Sequence, residues 1–221
     1  MNASEFTLYG HHASGNVYKV ALFFALAGQA YRYKHVDILA GETKGEAFTS
    51  LNAFQEVPVL AHGGNVVTQS DVILRYLADT LGRFGGRDEA ERRRIQEWMA
   101  WSSNKFTNGL ALARFGIRFA DFEPQVIAFF QNRAKGALDL VDRHLATQAW
   151  LAGDQPTIAD MSAAGYVYLA GEAKIDLLPW RNVLGWVGRM SQLPGWHHPD
   201  KLPQTEATVA PAVPMPAVED D

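Results

Sequence analysis

The chain has 221 residues, of which 48% are apolar and 20% charged, and its formal net charge at pH 7 is −4. This is the composition of an ordinary globular protein with room for a sizeable core. The negative charge gives no reason to expect nucleic acid as a partner, because a phosphate-binding protein should carry a clustered basic face. A run of three arginines, 92–94, lies among Asp88, Glu89 and Glu91 and is interpreted as a solvated helix face.

The sequence contains no cysteine. It therefore excludes disulfide bonds, cysteine-ligated zinc and a thiol nucleophile carried by the protein itself. The first twelve residues lack the basic and apolar regions of a signal peptide, and no apolar run approaches the length needed to cross a membrane. We therefore expect a cytoplasmic enzyme or binding protein with no membrane partner.

The first eighty residues alternate between strand and helix patterns. The predicted elements are strands at 6–9 and 31–38, helices at 17–26 and about 44–51, a hairpin with Gly63-Gly64 at its tip, and a helix that is capped by Ser70 and ends at Gly82. The order β-α-β-α-β-β-α predicts a small α/β domain with one parallel strand pair and an antiparallel hairpin.

Strand patterns largely disappear after the glycine-rich segment 82–86. The chain is therefore divided into a domain at 1–82, a linker at 83–87, an all-helical domain at 88–200 and a tail at 201–221. The helices expected in the second domain are a long one from Asp88 to about Phe119 with bends at Gly109 and Gly116, one beginning at Pro124, one opened by a capping box of Thr157 and Asp160, and one at about 182–191. The tail is rich in proline, alanine and acidic residues, and we expect it to be extended or partly disordered.

The dipeptide Val57-Pro58 opens a strand-like run, where proline can donate no ladder hydrogen bond. An X-Pro bond is the one place where a cis peptide is inexpensive, at about 0.5–1 kcal/mol. A cis bond here would turn the backbone N–H and C=O of Val57 outward, toward a ligand. A trans proline at the start of an edge strand is the alternative.

Two polar segments lie where a strand passes into a helix, a position that favours a carboxylate or another anion. Gln69 and Ser70 occupy the first, where the Ser70 hydroxyl either contacts a carboxylate or only caps the helix. The following Asp71 could pair with an amino group, so the three residues suit the headgroup of an α-amino acid. Ser14, after the first strand, could donate a hydrogen bond to an anion in the second segment.

The adjacent residues His11 and His12 support neither hydrolysis nor metal binding by sequence alone. A serine hydrolase with Ser14 would need a third, orienting group that the sequence does not supply. A metal site would need further ligands, and no carboxylate stands at ligand spacing. We therefore expect no metal. The pair His197-His198 is similarly uninformative.

Large side chains recur along the expected inner face of the long helix: Trp98, Trp101, Phe106, Leu110, Arg114 and Phe115. Most of them are expected in the core, and a subset could line an apolar pocket that faces the first domain.

Four groups of residues, taken together and in this order, resemble the glutathione transferase family. They are Leu8-Tyr9 leading to Ser14, the run 52–60 that contains Val57-Pro58, Gln69-Ser70 followed by Ile73, Tyr76 and Leu77, and Thr157-Ile158-Ala159-Asp160. The resemblance extends to about Pro199. It implies a thioredoxin-like βαβαββα domain followed by an all-helical domain, in a cytosolic member of the serine or asparagine type.

The resemblance also implies how glutathione would bind. The Val57 backbone, presented by cis-Pro58, would pair with the cysteinyl part of the tripeptide. Gln69 and Ser70 would hold its γ-glutamyl carboxylate, and Lys44 matches a position that often meets the glycine carboxylate. The sequence departs from the family at residues 53 and 55, where Ala and Gln replace the frequent Pro and Gly.

For catalysis, Ser14 stands where serine-type members stabilise the thiolate, and Asn16 is the alternative. The substrate pocket would include His11, His12, Trp101, Leu110 and Arg114. Because the chain has no cysteine, members that exchange disulfides through a protein thiol are excluded. All sulfur chemistry must then come from the bound tripeptide.

The implied function is conjugation of glutathione, the co-substrate, to a small hydrophobic electrophile by a cytoplasmic homodimer. Peroxidase, ether-cleaving or dehalogenating activity at the same site is an alternative that sequence does not separate. A further alternative is a non-catalytic scaffold that binds a protein partner, since the fold does not need the tail 201–221.

Overall fold

The structure, a computed structural model, describes residues 5–203. Its N-terminal domain contains four strands: β1 Thr7–Gly10, β2 Arg32–His35, β3 Val59–His62 and β4 Asn65–Thr68. They form one sheet in the order β2-β1-β3-β4, in which β1 and β2 are parallel and β3 is antiparallel to both β1 and β4. The predicted α/β domain with one parallel pair and a hairpin is confirmed.

Three helices complete this domain: α1 Gly15–Ala27, α2 Glu46–Leu51 and α3 Ser70–Leu81. Gly28 and Gly82 end α1 and α3 in the left-handed conformation, with φ of 64° and 65°, as predicted from the glycine positions. Helix α1 is buried along most of its length because it packs against both α3 and a helix of the second domain.

The prediction that Ser70 caps α3 is wrong. The helix begins at Ser70 itself, and Gln69 occupies the cap position without a side-chain hydrogen bond. Because Gln69 turns the chain with a φ of 65°, the Ser70 hydroxyl faces Asn16 at the start of α1, with the two side-chain oxygens 3.5 Å apart.

The C-terminal domain contains five α-helices within the described residues. They are α4 Glu89–Trp101, α5 Asn108–Arg118, α6 Pro124–Leu145, α7 Ile158–Val167 and α8 Arg181–Ser191. Pro124 stands in the first turn of α6, and a complete capping box joins Thr157 and Asp160 at the start of α7, both as predicted. One hydrophobic core runs through both domains.

The long helix predicted at 88–119 is interrupted, although not at the glycines. A π-helical segment, Ser102–Thr107, separates α4 from α5. Gly109 and Gly116 have packing roles instead: a Cβ atom at Gly109 would lie 2.8 Å from the backbone nitrogen of Ala134 in α6. The close approach of two helices, rather than a bend, explains this glycine.

Of the predicted tail 201–221, only residues 201–203 belong to the described part of the chain. Lys201 ends a 3₁₀ turn that begins at Pro199, and Leu202 is buried. Among residues 5–203, no helix is both long enough and apolar enough to span a bilayer.

Candidate active site

Ser14 lies at the junction of β1 and α1, as the N-cap residue of α1. Its backbone is extended, and its Oγ accepts a hydrogen bond of 3.3 Å from the amide of Val17. The residue lines a cavity of about 190 Å³ together with His12 and with charged residues of the C-terminal domain, among them Arg118 and Glu172. The Ser14 hydroxyl is therefore placed where the N-terminus of a helix faces a cleft between the domains.

Arg114, from α5, holds the loop that precedes Ser14. Its guanidinium donates one hydrogen bond of 2.8 Å to the carbonyl of Ala13 and another of 2.7 Å to Glu172. The side chain is 7% exposed, and Glu172 also pairs with Arg118 at 2.6 Å. Arg114 thus lines the cavity while its guanidinium is engaged in fixing the loop, and its predicted contact with a substrate remains a prediction.

Tyr166, from α7, meets the first turn of α1. A Cβ atom at Gly15 would lie only 2.8–2.9 Å from three ring carbons of this tyrosine, so the absence of a side chain at Gly15 permits the contact. Burial raises the pKa of Tyr166, whereas the charge of Arg114, the Ser14 hydroxyl and the amides of Asn16 and Gly15 act in the opposite direction. The phenol therefore stays neutral at physiological pH, with its oxygen directed at the turn that carries Ser14.

The peptide bond between Val57 and Pro58 is cis, which decides between the two alternatives that this dipeptide left open and agrees with what the family resemblance implies. The buried side chain of Asn52 holds the preceding turn, since its amide donates to the Glu56 carbonyl at 2.8 Å and its oxygen accepts from the Phe54 amide at 3.0 Å. Val57 itself is half-buried and lies two residues before β3. Its backbone is thus held at the edge of the sheet by a side chain that the sequence did not single out.

Two glutamines near this turn have positive φ. Gln55, where the family often has glycine, has a φ of 57°, and Gln69 has 65°. Left-handed backbone costs a non-glycine residue about 1–2 kcal/mol, and such conformations often occur at functional sites. The exposed amide of Gln69 donates to the Glu56 carboxylate at 3.0 Å, so the turn before Val57 and the start of α3 are linked.

Asp71 is engaged by the protein itself. Its carboxylate accepts hydrogen bonds from Lys19 Nζ at 2.9 Å and from the Ser162 hydroxyl at 2.7 Å, and Ser103 in the π-helical segment also donates to it. Burial raises the pKa of Asp71, but the Lys19 charge and these hydroxyl groups outweigh burial and hold it below the usual range. The interpretation of Asp71 as the partner of a ligand amino group is therefore not favoured.

Replacing Lys19 with methionine should lower the free energy of unfolding by about 2–3 kcal/mol, because it leaves Asp71 without a cation in a largely buried setting. The folded pKa of Asp71 is depressed, so this pair stabilises the protein above the unfolded pKa of about 3.9 and the stabilisation is lost as pH falls below it. Urea denaturation at several pH values would show the difference from wild type shrinking in acid. Replacing Arg32, whose pair with Glu5 is exposed, should change stability by less than about 1 kcal/mol.

The remaining predicted site residues are dispersed. Lys44 is exposed at the end of the 3₁₀ turn Glu42–Lys44, and Leu110 is buried in the core. Trp101 stacks on Phe106 with ring centroids 6.2 Å apart. Neither Trp101 nor Leu110 is among the residues that line the cavity at Ser14. Their predicted contact with a substrate remains a prediction.

A second, larger cavity of about 600 Å³ lies along the linker between the domains, against Phe84 and Trp150. It shares no lining residue with the cavity at Ser14. We place the candidate site at Ser14 despite the smaller volume, because Ser14 caps α1 and the next residue but one, Asn16, contacts Ser70 at the start of α3. Val57, Gln69 and Ser70 themselves do not line this cavity.

The sequence matches two family models. Residues 4–79 match the glutathione S-transferase N-terminal domain, and residues 124–197 match the glutathione S-transferase C-terminal domain. The chain belongs to the glutathione S-transferase family. Both the recognition from sequence and the predicted thioredoxin-like and helical domains are thereby confirmed.

Individual members of the glutathione S-transferase family resemble the chain over most of its length. A probable maleylacetoacetate isomerase of Caenorhabditis elegans is 29% identical over 93% of this chain and 98% of its own. Glutathione S-transferase F9 of Arabidopsis thaliana is 26% identical over 76% and 84%. The crystal structure of a possible glutathione S-transferase from Rhodopseudomonas palustris has a TM-score of 0.84 at 30% identity, covering 90% of this chain and 91% of that one. The relatives differ in reaction, so they support glutathione-dependent activity in general.

Several contacts at this candidate site were not predicted. Lys19 lies inside the apolar run 17–26, and a charge in such a run must be paired. The sequence therefore contains a signal for an ion pair at Lys19, which the structure forms with Asp71. The roles of Glu56 and Tyr166 have no such local signal, since each depends on a partner that is distant in sequence.

Proposed function

We propose that this protein is a glutathione transferase, which conjugates the thiolate of bound glutathione to an electrophile in the cleft beside Ser14. The observation that carries the proposal is the meeting of two helix N-termini, with the Ser70 and Asn16 side-chain oxygens 3.5 Å apart, next to the cis Val57-Pro58 bond. Such a corner offers two sites for negative charge, one for a carboxylate and one for a thiolate.

Each part of the tripeptide has a proposed partner. The Val57 backbone, which precedes the paired residues of β3, forms main-chain hydrogen bonds with the cysteinyl residue. Gln69 and Ser70 hold the γ-glutamyl carboxylate at the start of α3, and the exposed Lys44 meets the glycine carboxylate. The amino group of the γ-glutamyl residue has the Glu56 carboxylate nearby, since Glu56 already accepts from Gln69.

Ser14 is the proposed thiolate stabiliser, with Asn16 as the alternative. A free thiol has a pKa of about 8.5, and lowering it by two units corresponds to about 2.7 kcal/mol. One hydroxyl hydrogen bond together with a helix N-terminus supplies an effect of this size. The thiolate attacks the electrophilic carbon, the new C–S bond forms, and the leaving group or the neighbouring carbon takes the electron pair.

The cavity beside Ser14 informs the choice of electrophile. We propose a small, largely hydrophobic electrophile, and the charged side chains of Arg118 and Glu172 on one wall favour one that also carries a polar group. Glutathione-dependent isomerisation of an unsaturated acid is the second candidate, favoured by the same polar wall and by the name of the nematode relative. A panel of aryl halides, peroxides, haloalkanes and unsaturated carboxylic acids separates these reactions.

We expect two variants, Gln69→Ala and Ser70→Ala, to weaken glutathione binding by about tenfold or more, because each removes a polar contact worth at least about 1.4 kcal/mol to a charged group. Isothermal titration of the purified protein with glutathione measures this directly. Gln125→Ala, on an exposed position of α6, is the matched control and should bind as the wild type does.

The result also tests the rivals. Binding without turnover of any electrophile in the panel would favour the non-catalytic scaffold, and absence of binding by the wild type would contradict the proposal. We further propose a cytoplasmic homodimer, as is typical of the family, and sedimentation equilibrium of the full chain checks the dimer.

A further inference from the structure

Three histidines form a cluster at the rim of the candidate site. Each of His11, His12 and His35 offers a ring nitrogen, and these nitrogens all lie within 4.8 Å of one another. The ring centroids are 4.4, 5.1 and 5.4 Å apart. His11 is buried, whereas the other two are exposed. The sequence predicts no metal here, because no carboxylate stands at ligand spacing from His11 and His12, and His35 is remote from both along the chain.

The pairing of β1 with β2 brings His35 close to His11 and His12. Strands β1 and β2 are parallel neighbours, and Gly10 at the end of β1 is paired in register with His35 at the end of β2. The ladder continues one step further, with the Val36 amide donating to the Gly10 carbonyl at 2.8 Å. The two residues that follow Gly10 therefore leave the sheet at the same edge as His35, and all three rings project from a rigid element or directly beside one.

We propose that His11, His12 and His35 form a binding site for a borderline divalent transition-metal ion such as Zn²⁺ or Ni²⁺. Neutral imidazole nitrogens are preferred ligands of these ions, whereas Mg²⁺ and Ca²⁺ prefer oxygen. A tetrahedral zinc ion with bonds of about 2.0–2.1 Å requires ligand nitrogens about 3.3 Å apart. The present separations exceed this by about 1.5 Å at most, which small rotations of the two exposed rings remove.

The charges around the cluster permit a cation. Asp37, two residues after His35, adds negative charge that acts on both His11 and His35. One of its carboxylate oxygens accepts from the amides of Leu39 and Ala40, so this charge is fixed in place. Arg114 is the opposing positive group near His11, and it is paired with Glu172.

Binding through His11 involves the loop that holds Ser14. The Nδ1 atom of His11 accepts a hydrogen bond of 3.1 Å from the amide of Ala13, so the neutral ring carries its proton on Nε2. Coordination through Nε2 moves that proton to Nδ1 and breaks the contact with Ala13, which weakens the hold on the loop. Binding of the ion would thus alter a hydrogen bond of Ala13, the residue next to Ser14. His12, another proposed ligand, lines the same cavity as Ser14.

The experiment uses the full chain without a polyhistidine tag, treated with a chelator and then dialysed. Isothermal titration with ZnCl₂ and separately with NiCl₂ should show one ion per chain for the wild type. His35→Ala and His12→Ala should each weaken binding by about tenfold or more, because each removes one of the three imidazole ligands and leaves two. His197→Ala removes an exposed histidine from another pair and should leave binding unchanged.

Titration with Co²⁺ supplies a readout that does not depend on affinity alone, because the visible spectrum of the ion reports its coordination. The wild type and His35→Ala should give different spectra at saturation, because the variant supplies one imidazole nitrogen fewer, while circular dichroism confirms that the variant is folded. Glutathione is omitted because its thiol binds these ions, so the outcome is independent of the proposed transferase activity. Absence of saturable binding, or equal binding by wild type and His35→Ala, would overturn the proposal.

Discussion

Replacing Asp160 with alanine should lower the free energy of unfolding by about 3–5 kcal/mol, the largest stability effect that we expect from a single substitution in this chain. The carboxylate is fully buried and accepts four hydrogen bonds, from the Leu151 amide, the Thr157 amide and hydroxyl, and the Trp186 indole. Truncation leaves buried donors from three segments of the C-terminal domain without an acceptor. Urea denaturation followed by tryptophan fluorescence measures the loss.

Two further variants separate the role of this carboxylate from that of any acidic side chain. Asp154→Ala removes an exposed partner of Arg87 and should change stability by less than about 1 kcal/mol. Asp160→Asn keeps one oxygen acceptor and should fall between wild type and Asp160→Ala. If Asp160→Ala were no less stable than Asp154→Ala, the capping box would not hold this domain together.

Replacing Ser14 with glycine should reduce kcat/KM for glutathione conjugation by about 10²–10³-fold, the magnitude typical of a lost hydrogen-bond donor to a developing or stabilised anion. Glycine is chosen because it substitutes for serine at an N-cap at a cost of only a few tenths of a kcal/mol, whereas alanine costs about 1 kcal/mol. The helix α1 is thereby kept while the hydroxyl is removed. Ultraviolet titration of the bound thiolate should show the glutathione pKa rising toward 8.5.

The comparison with Asn16→Ala decides between the two candidate donors. If Ser14 is the stabiliser, Ser14→Gly and Ser14→Ala lose activity equally although their stabilities differ, and Asn16→Ala has the smaller effect. A loss confined to Asn16→Ala would assign the thiolate to the asparagine. Unchanged thiol pKa in all three variants would contradict a role for this helix end.

Much of the fold was predictable because its signals are local. Gly28 and Gly82 end helices by adopting positive φ, Pro124 suits a first turn, and Thr157 with Asp160 forms a cap within four residues. None of these conclusions requires knowledge of what packs on the element. The cis bond at Pro58 was predictable only in part, because proline makes a cis bond inexpensive without excluding the trans form.

The sequence-based predictions of secondary structure were wrong where a contact with a distant residue determines the local backbone. The pattern at 88–119 predicts a continuous helix, yet a π-helical segment interrupts it. Two contacts accompany this segment: the Ser102 and Thr107 hydroxyl groups lie 3.3 Å apart inside the protein, and Ser103 donates a hydrogen bond to Asp71 of the other domain. Ser70 is a good capping residue by type, but Gln69 takes the cap position with an unusual backbone.

The candidate site was predictable in part. Sequence indicated both helix ends and the proline between them, since these residues have a recognisable order. It gave no indication that His35 would join His11 and His12, because that contact depends on the register of two parallel strands. It likewise gave no partner for Tyr166, which meets Gly15 across the domain boundary.

The contact between Tyr166 and the turn at Gly15 limits how the two domains can be recombined. The family models treat the domains as separable, yet here the loop that carries Ser14 is fixed by Arg114 and Tyr166, both from the C-terminal domain. A chimera that takes only its N-terminal domain from a relative would bring a new loop against these unchanged side chains. Evolution of a new specificity by domain shuffling would therefore require the loop 13–16, Arg114 and Tyr166 to change together, as one inherited unit.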